Sequence, residues 1–413
     1  MRVLLVAEDF PWPSTMGGTI RLGKIIEAVS ALGETDLFTL YDPRRASLIL
    51  PPTVTVERMA TVPYPVTAPA RRWRTAWMAQ RGTPMEVVMR AGDPLPRRTF
   101  ESWARDSYDV VWFGTPATFA WVGRPRLGPT IVDLIDLEDE KARQRAGLLR
   151  ERPAEGLASS IRRTLAAAQT DKNARDWRAF QRSVADQVDR VVLCSDADVR
   201  RSGLANAVVV PNTYPRPARS GDHDSVGDPP TILLQGSFNY APNMDAVDWL
   251  LGQVAPSLLA KVPAAQIRLV GNTVPGVRRW HRPPAVTVVG SVPEMEPELA
   301  RADIAVVPLR IGSGTRLKIL ESFAHRLPVV STTLGAEGIG VQDGVHLLLA
   351  DTAEEFSAAC QRLLVDTDLR KRLVDAAEDL YLRSYEWSTA RDRVRQLVLD
   401  VAGPSSSNSG PNR

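Results

Sequence analysis

Residues 308–340, PLRIGSGTRLKILESFAHRLPVVSTTLGAEGIG, constrain the fold of this chain more than any other stretch. They read as a glycine-rich turn, an amphipathic helix, a short apolar strand and a second glycine-bearing turn. In the first turn Gly312, Ser313 and Gly314 carry little or no side chain, so backbone N–H groups can approach an anion closely. Thr315 is placed to cap the helix that follows. Leu317, Leu320 and Phe323–Ala324 recur at near-helical spacing and should face a core. Arg316 and Lys318 put two cations within a turn of the helix start. Glu321 lies one turn after Lys318, where a carboxylate can accept hydrogen bonds from vicinal hydroxyls such as a ribose. Helix N-terminus, two cations and a hydroxyl-reading carboxylate together describe a nucleotide diphosphate site. An ordinary βαβ connection with a glycine-rich loop is the alternative.

The phrase GSGTRLKILE, followed by PVVSTTLGAEGI, resembles the donor-binding motif of the retaining glycosyltransferases of family four, in a bacterial subgroup that carries it. The resemblance implies an α/β GT-B fold, two doubly wound, Rossmann-like parallel-sheet domains facing across a cleft. It implies a nucleotide-diphosphate sugar as donor, with Arg316 and Lys318 against the departing diphosphate and Glu321 on the ribose. The family motif has two glutamates separated by seven residues; Glu321 matches the second, and Ser313 stands at the first. The first glutamate contacts the donor sugar in the family. Gly312 and Ser313 therefore hold the sugar position here, and the sugar's identity stays open.

A chain of 413 residues is too long for one typical core; two domains of about 200 residues each are expected. Apolar content of 44% and charged content of 24% suit a soluble globular protein. No apolar run approaches the roughly 18 residues of a membrane helix. The start, MRVLLVAEDFPWPS, is too short in its apolar part for a signal peptide and meets Glu8–Asp9 at once, so it reads as a buried first strand. Two distant cysteines, Cys194 and Cys360, imply neither a disulfide framework nor a metal site. The expected compartment is the cytoplasm. Net charge is only +3, and arginine far outnumbers lysine. A GC-rich genome explains that usage; an arginine-rich surface for phosphates or anionic lipid is the functional alternative.

Along the chain, VLLVAEDF (3–10) is a strand, PWPSTMGG a loop, and Thr19 to Leu32 a helix, with a strand at 36–41. This is the opening of a doubly wound domain. Further strands are expected at 54–58, 110–113, 131–134 and 191–194, a helix at 174–190, and a closing strand in VVVPNT (208–213). The first domain is placed at 1–214 and a linker at 215–230, PRPARSGDHDSVGDPP, which has almost no apolar content. The nucleotide-sugar domain is placed at 231–387. Its strands are expected at 231–237, 266–271, 286–289, 304–308, 329–332 and 346–349. A helix at 244–259 should break at Pro256, and a helical pattern fills 353–383. Residues 388–402 are the candidate for the last GT-B helix, which packs back on the first domain in that fold. GPSSSNSGPNR (403–413) should be disordered.

Other constellations add to the donor site. Gly17–Gly18 follow the first strand, and in the resemblance this loop approaches the donor phosphates; a plain turn is the alternative. GSFNYAPNMDAVDWL (236–250) resembles the opening of the family's second domain, with Gly236 at a strand's carboxyl edge. Asn239, Tyr240 and Asn243 there read as turn and capping residues. Many family members place an arginine and a lysine after this glycine; that pair is absent here, and Arg316 and Lys318 take over its charge. Gly290 to Val292 could hold a base edge through main-chain groups, or form a plain turn.

Catalysis is less defined. All four histidines lie after position 214, so a first-domain histidine is excluded; the strand that carries one in many members ends here in Phe113–Gly114–Thr115. Inversion needs a general base, for which Asp9, Asp133, Asp136 and Glu138 are candidates; loop solvation and helix capping are the alternative. Of these Asp136 is taken as catalytic beside Arg316 and Lys318. Retention needs no dedicated base, because the donor phosphate can take the acceptor's proton.

Residues 70–105 hold Arg71, Arg72, Arg74, Arg81, Arg90, Arg97 and Arg98 beside Trp73, Trp77 and Trp103. They could lie on an anionic membrane and meet a lipid-linked acceptor, or form solvated helices with core tryptophans. A peripheral place at the inner membrane face goes with the first reading. No nucleic-acid motif, metal motif or cofactor beyond the donor is expected. The expected activity is hexosyl transfer to an acceptor hydroxyl in envelope polysaccharide, glycolipid or specialised glycoside synthesis. A nucleotide-sugar epimerase of the same shape and an inactive sugar-nucleotide-binding subunit are the alternatives.

Overall fold

The computed structural model describes residues 1–12, 17–42, 48–67, 69–151, 156–217, 226–272, 277–312 and 316–403. The chain divides into two compact units. Met1–Val210, with the stretch that begins at Arg391, forms one, and Pro211–Ala390 the other.

In the first unit β1 (Arg2–Ala7), α1 (Gly17–Ser30), β2 (Glu34–Tyr41) and β3 (Arg58–Pro63) are followed by three helices, α2 (Ala70–Ala79), α3 (Met85–Arg90) and α4 (Leu95–Trp103). Then come β4 (Val110–Phe113), α5 (Pro116–Trp121), β5 (Thr130–Asp133), α6 (Glu138–Glu151), α7 (Leu157–Ala185), β6 (Arg190–Leu193), α8 (Asp196–Ser202) and β7 (Ala207–Val209). The seven strands run parallel in the order β3-β2-β1-β4-β5-β6-β7. β1 lies inside this sheet with helices over both faces, which is why Val3 to Ala7 are all buried rather than alternating. Edge-on ring pairs, Phe38–Phe100 at 5.1 Å and Phe113–Phe119 at 5.0 Å, fill one side.

In the second unit β8 (Thr231–Gln235) leads through α9 (Ala241–Trp249), a π-helical turn at Leu250–Val254 and α10 (Ala255–Lys261) to β9 (Gln266–Val270) and β10 (Val286–Gly290). α11 (Glu296–Arg301), β11 (Ile304–Val307), α12 (Leu317–Ala324), β12 (Val329–Ser331), β13 (Leu348–Leu349), α13 (Ala353–Val365) and α14 (Thr367–Ser384) follow. α15 (Trp387–Ala402) passes into the first unit at Arg391; there Arg395 Nε donates to the Ala28 carbonyl at 3.2 Å. The six parallel strands take the order β10-β9-β8-β11-β12-β13. Alternate residues feed opposite faces. Ile232 and Leu234 pack with Trp249, Leu250 and Phe356, while Leu233 packs with Ile319, Leu320 and Phe323 of α12.

Several expectations shift, each for a local reason. The strand expected at 54–58 forms at Arg58–Pro63, because pairing with β2 sets its register from Asp36 opposite Arg58 to Tyr41 opposite Pro63; Val54 is buried outside it. Gly17 and Gly18 open α1 instead of lying in a loop. The helix before β6 begins far earlier, at Leu157, with Leu157, Ile161 and Leu165 exposed. The break expected at Pro256 falls before it, as the π turn. Pro256 has no N–H to donate one turn back, so the preceding turn widens. Helix 353–383 divides at Asp366, whose side chain accepts from Leu369 N at 2.9 Å and caps α14. Of the expected linker, residues 218–225 lie outside the described residues, as do 404–413 of the expected tail.

Candidate active site

The carboxyl ends of β8, β9 and β10 in the second unit converge on bare backbone. Gly236 follows β8 and donates its N–H to Val270 O at 2.9 Å, and Gly271, after β9, donates to Gly290 O at 2.8 Å. Gly271 has φ +138°, and a Cβ there would lie 1.9 Å from the Gly236 carbonyl oxygen; only glycine lets these strand ends approach so closely. Val292, two residues past β10, is half-buried against the core.

The helix α12 meets this edge. Its N-cap is Arg316, with φ −84° and ψ 94° and no side-chain cap bond. Thr315, expected as the cap, lies with Ser313 and Gly314 outside the described residues. Gly312 has φ +132°, and a Cβ on it would come within 2.6 Å of an Arg316 guanidinium nitrogen, so the missing side chain at Gly312 gives that guanidinium its room. Arg310 anchors the entry to the turn with two bonds to the buried Asp245 of α9, at 2.7 and 3.0 Å.

Lys318, partly buried in the first turn of α12, donates from Nζ to Asn243 Oδ1 at 3.0 Å. Loss of water around it, then the Arg316 charge, push its ammonium down to about 7, against the pull of Glu321. Glu321 accepts from the Tyr214 hydroxyl at 2.8 Å. Loss of water raises its carboxyl above the usual range, while hydrogen bonds from Tyr214 and Gln235 and the Lys318 charge hold it back. Tyr214 is fixed from α14, whose Tyr381 hydroxyl donates to the Tyr214 carbonyl at 3.1 Å. Gly236, Gly290, Val292, Gly312, Arg316, Lys318 and Glu321 thus share the second unit. Gly17, Gly18 and Asp136 belong to the first.

Asn243, expected to cap a helix, does something else. Tyr240 is the N-cap of α9, and Asn243 sits inside its first turn. Its amide donates to Ser237 O at 3.0 Å while its oxygen takes the lysine.

The acids after β5 in the first unit are largely committed to cations. Asp133 is corrected as a candidate base: it receives Arg21 Nε at 2.8 Å and Nη2 at 3.1 Å, both side chains being buried. Burial raises the Asp133 carboxyl, against the Arg21 charge and hydrogen bonds, while the Asp133 charge raises the Arg21 guanidinium against its own burial. Asp136 meets Lys141 at 2.9 Å, and the same lysine meets Glu138 at 2.6 Å. Glu138 opens α6 with Asp139 and Glu140, where the helix dipole favours acids. Loss of water raises the Glu138 carboxyl, opposed by Lys141. Asp9 follows β1, partly buried. Loss of water also raises Glu8, against a hydrogen bond with Thr115; Thr115 in turn caps α5. Trp77 is a core residue, donating to Asp176 at 3.0 Å. Among the described residues no group of three or more His, Cys, Asp or Glu is placed to hold a metal ion, and no helix is long and apolar enough to cross a membrane.

Comparison with solved structures places both units at once. Sucrose-phosphate synthase from Thermosynechococcus elongatus superposes with a TM-score of 0.67 at 17% identity, covering 96% of this chain and 98% of that one. Anabaena HepE, solved with UDP and glucose, gives 0.64 at 12% identity over 96% and 99%. The fold is GT-B. Residues 229–366 match the family described as glycosyl transferases group 1. A curated Klebsiella pneumoniae protein, an uncharacterized 44.6 kDa protein in a cps region, is 27% identical over 136 residues, 30% of this chain and 35% of that one. The chain spans about a third of the length of the curated relatives it matches.

Proposed function

We propose that this GT-B chain moves a hexosyl group from a nucleotide-diphosphate sugar to an acceptor hydroxyl, with retention. One observation carries the reading: at the start of α12, before Glu321, Lys318 stands beside Gly236 at the end of β8 and Arg316 stands beside Gly312. Loss of water and the Arg316 charge hold the Lys318 ammonium down, against Glu321, so a bound anion would favour its charged form. A helix N-terminus next to bare backbone suits a diphosphate. HepE, with the same fold, was solved with UDP and glucose.

The residues divide the work accordingly. Arg316 and Lys318 neutralise the charge that grows on the diphosphate as the bond between the sugar's anomeric carbon and the phosphate oxygen breaks. The acceptor oxygen bonds to that carbon from the same face, and its proton passes to the departing diphosphate. Glu321, oriented by Tyr214, accepts from the ribose hydroxyls. In this reading the two cations supply the neutralisation that a metal ion provides elsewhere. Asp136 remains a candidate on the acceptor side. An envelope polysaccharide or glycolipid acceptor suits the exposed face of α2, which carries Arg72, Arg74 and Met78.

The test is calorimetric binding of UDP, GDP and their sugars, coupled to an assay for nucleotide release with acceptor. Arg316→Ala with Lys318→Ala should weaken nucleoside diphosphate binding about a hundredfold, and Glu321→Gln should lose turnover with the fold intact. Unchanged affinity in the double variant, or wild-type turnover in Glu321→Gln, contradicts these roles. A chain that binds nucleotide sugars and releases none is a binding subunit.

A further inference from the structure

We propose that Asn243 is the positioning residue of the donor site: from the first turn of α9 it fixes the head of Lys318 beside Gly236, and so sets where the diphosphate meets positive charge. The inference rests on the donor reading above and adds to it a residue on a different helix.

The Asn243 side chain is used at both ends. Nδ2 donates to the Ser237 carbonyl at 3.0 Å, and Oδ1 accepts from Lys318 Nζ at 3.0 Å. Reversing the amide would turn a donor toward the lysine and an acceptor toward a carbonyl, so only one orientation satisfies both partners. Asn243 is itself only 9% exposed, which leaves it little freedom to swing. The space is closed by backbone: a Cβ on Gly236 would sit 2.8 Å from Asn243 Nδ2 and 3.1 Å from Lys318 Nζ. The lysine's own carbonyl is held by Ser322 Oγ at 2.8 Å and approached by Gln235 Nε2 at 3.4 Å.

A neutral acceptor suits this task better than a carboxylate. Aspartate would orient the lysine equally well, but it would cancel the charge and repel the ligand. An amide orients the amine and leaves the charge for the phosphate. The charged groups that face Lys318 are Arg316, just before the helix, and Glu321, one turn along it; β8 and α9 present the neutral Gln235 and Asn243.

The pH dependence follows from the same geometry. With loss of water and the Arg316 charge pushing the lysine down to about 7, a diphosphate binds its charged form. Affinity should be level below about pH 7 and fall as pH rises above it. Removing the Asn243 oxygen takes away a group that favours the ammonium, so the fall begins at lower pH. Asn243→Asp favours the ammonium, so the fall moves up by about one pH unit, while binding at pH 6 weakens by repulsion.

The experiment is titration of UDP and GDP into the full chain between pH 6 and 9, using wild type, Asn243→Ala and the isosteric Asn243→Asp, with circular dichroism to follow the fold. Asn243→Ala should bind about tenfold more weakly at pH 7, with its decline displaced to acid, and Asn243→Asp should displace it to alkali. A wild-type affinity and profile in Asn243→Ala overturns the proposal. So does a loss of equal size at every pH, the mark of a merely structural residue. If Asn243→Ala does not fold, the direction of the Asn243→Asp displacement decides. Failure of the wild type to bind either nucleotide removes the donor reading and this inference together; wild-type binding with unmoved variants removes only the inference.

Discussion

In the first unit the buried Arg21 and Asp133 close on each other through two hydrogen bonds, whereas in the second Lys318 meets the neutral amide of Asn243 beside a second cation, Arg316. Both lie at or near strand ends of the same kind of parallel sheet. The first arrangement is complete within the protein: each charge has its counter-charge, and removing either leaves the other stranded. The second holds Lys318 by a hydrogen bond to a neutral amide, with Glu321 one turn along the helix opposing the Arg316 charge. Such a site lowers stability and is understandable where an anion arrives from outside. Under the proposed donor reading, the partner of a buried charge separates the two sites more sharply than residue type does.

The contrast breaks most easily at Asp133. Asp133→Ala strands the Arg21 guanidinium, and urea unfolding should show a loss of about 3–5 kcal/mol; a change below about 1 kcal/mol would mean that water already relieves the pair. Lys318→Met sharpens it from the other side with a smaller effect of opposite sign. The lysine's folded-state pKa, about 7, lies below its unfolded value of about 10.4. Between those values the unfolded chain binds the extra proton, so the wild type gains stability as pH rises. Lys318→Met should accordingly be more stable by about 1 kcal/mol at pH 7 and below, with the gain fading toward pH 10, and should lose nucleotide affinity. A variant less stable at pH 7 would contradict the view that the lysine is held at a cost.

Local pattern carried a good part of this. The helix and strand expected within 308–340 stand as α12 and β12, with Leu320, Phe323 and Ala324 buried as their spacing required. The two doubly wound sheets followed from the alternation of strands and helices. What stayed hidden are side-chain meetings across long stretches of chain. Asn243 lies 75 residues from Lys318, and Tyr214 lies 107 residues from Glu321. An asparagine near a helix start reads as a cap because capping is its commonest local use, and nothing within YAPNMD points to a lysine so far along. Asp133 misled for the same reason: an acid at a strand's end looks functional until Arg21, 112 residues away, is seen against it. Tyr214 offered one signal, an aromatic just before a proline-rich segment, but composition alone set it as the last residue of the first domain, whereas it belongs to the second unit.

The most direct measurement is a crystal structure of the chain soaked with UDP or GDP. The account predicts the diphosphate at the start of α12, its oxygens within hydrogen-bond reach of Lys318 Nζ and the Arg316 guanidinium, and the ribose against Glu321. Density for the nucleotide at another place, with the α12 site empty, would contradict it.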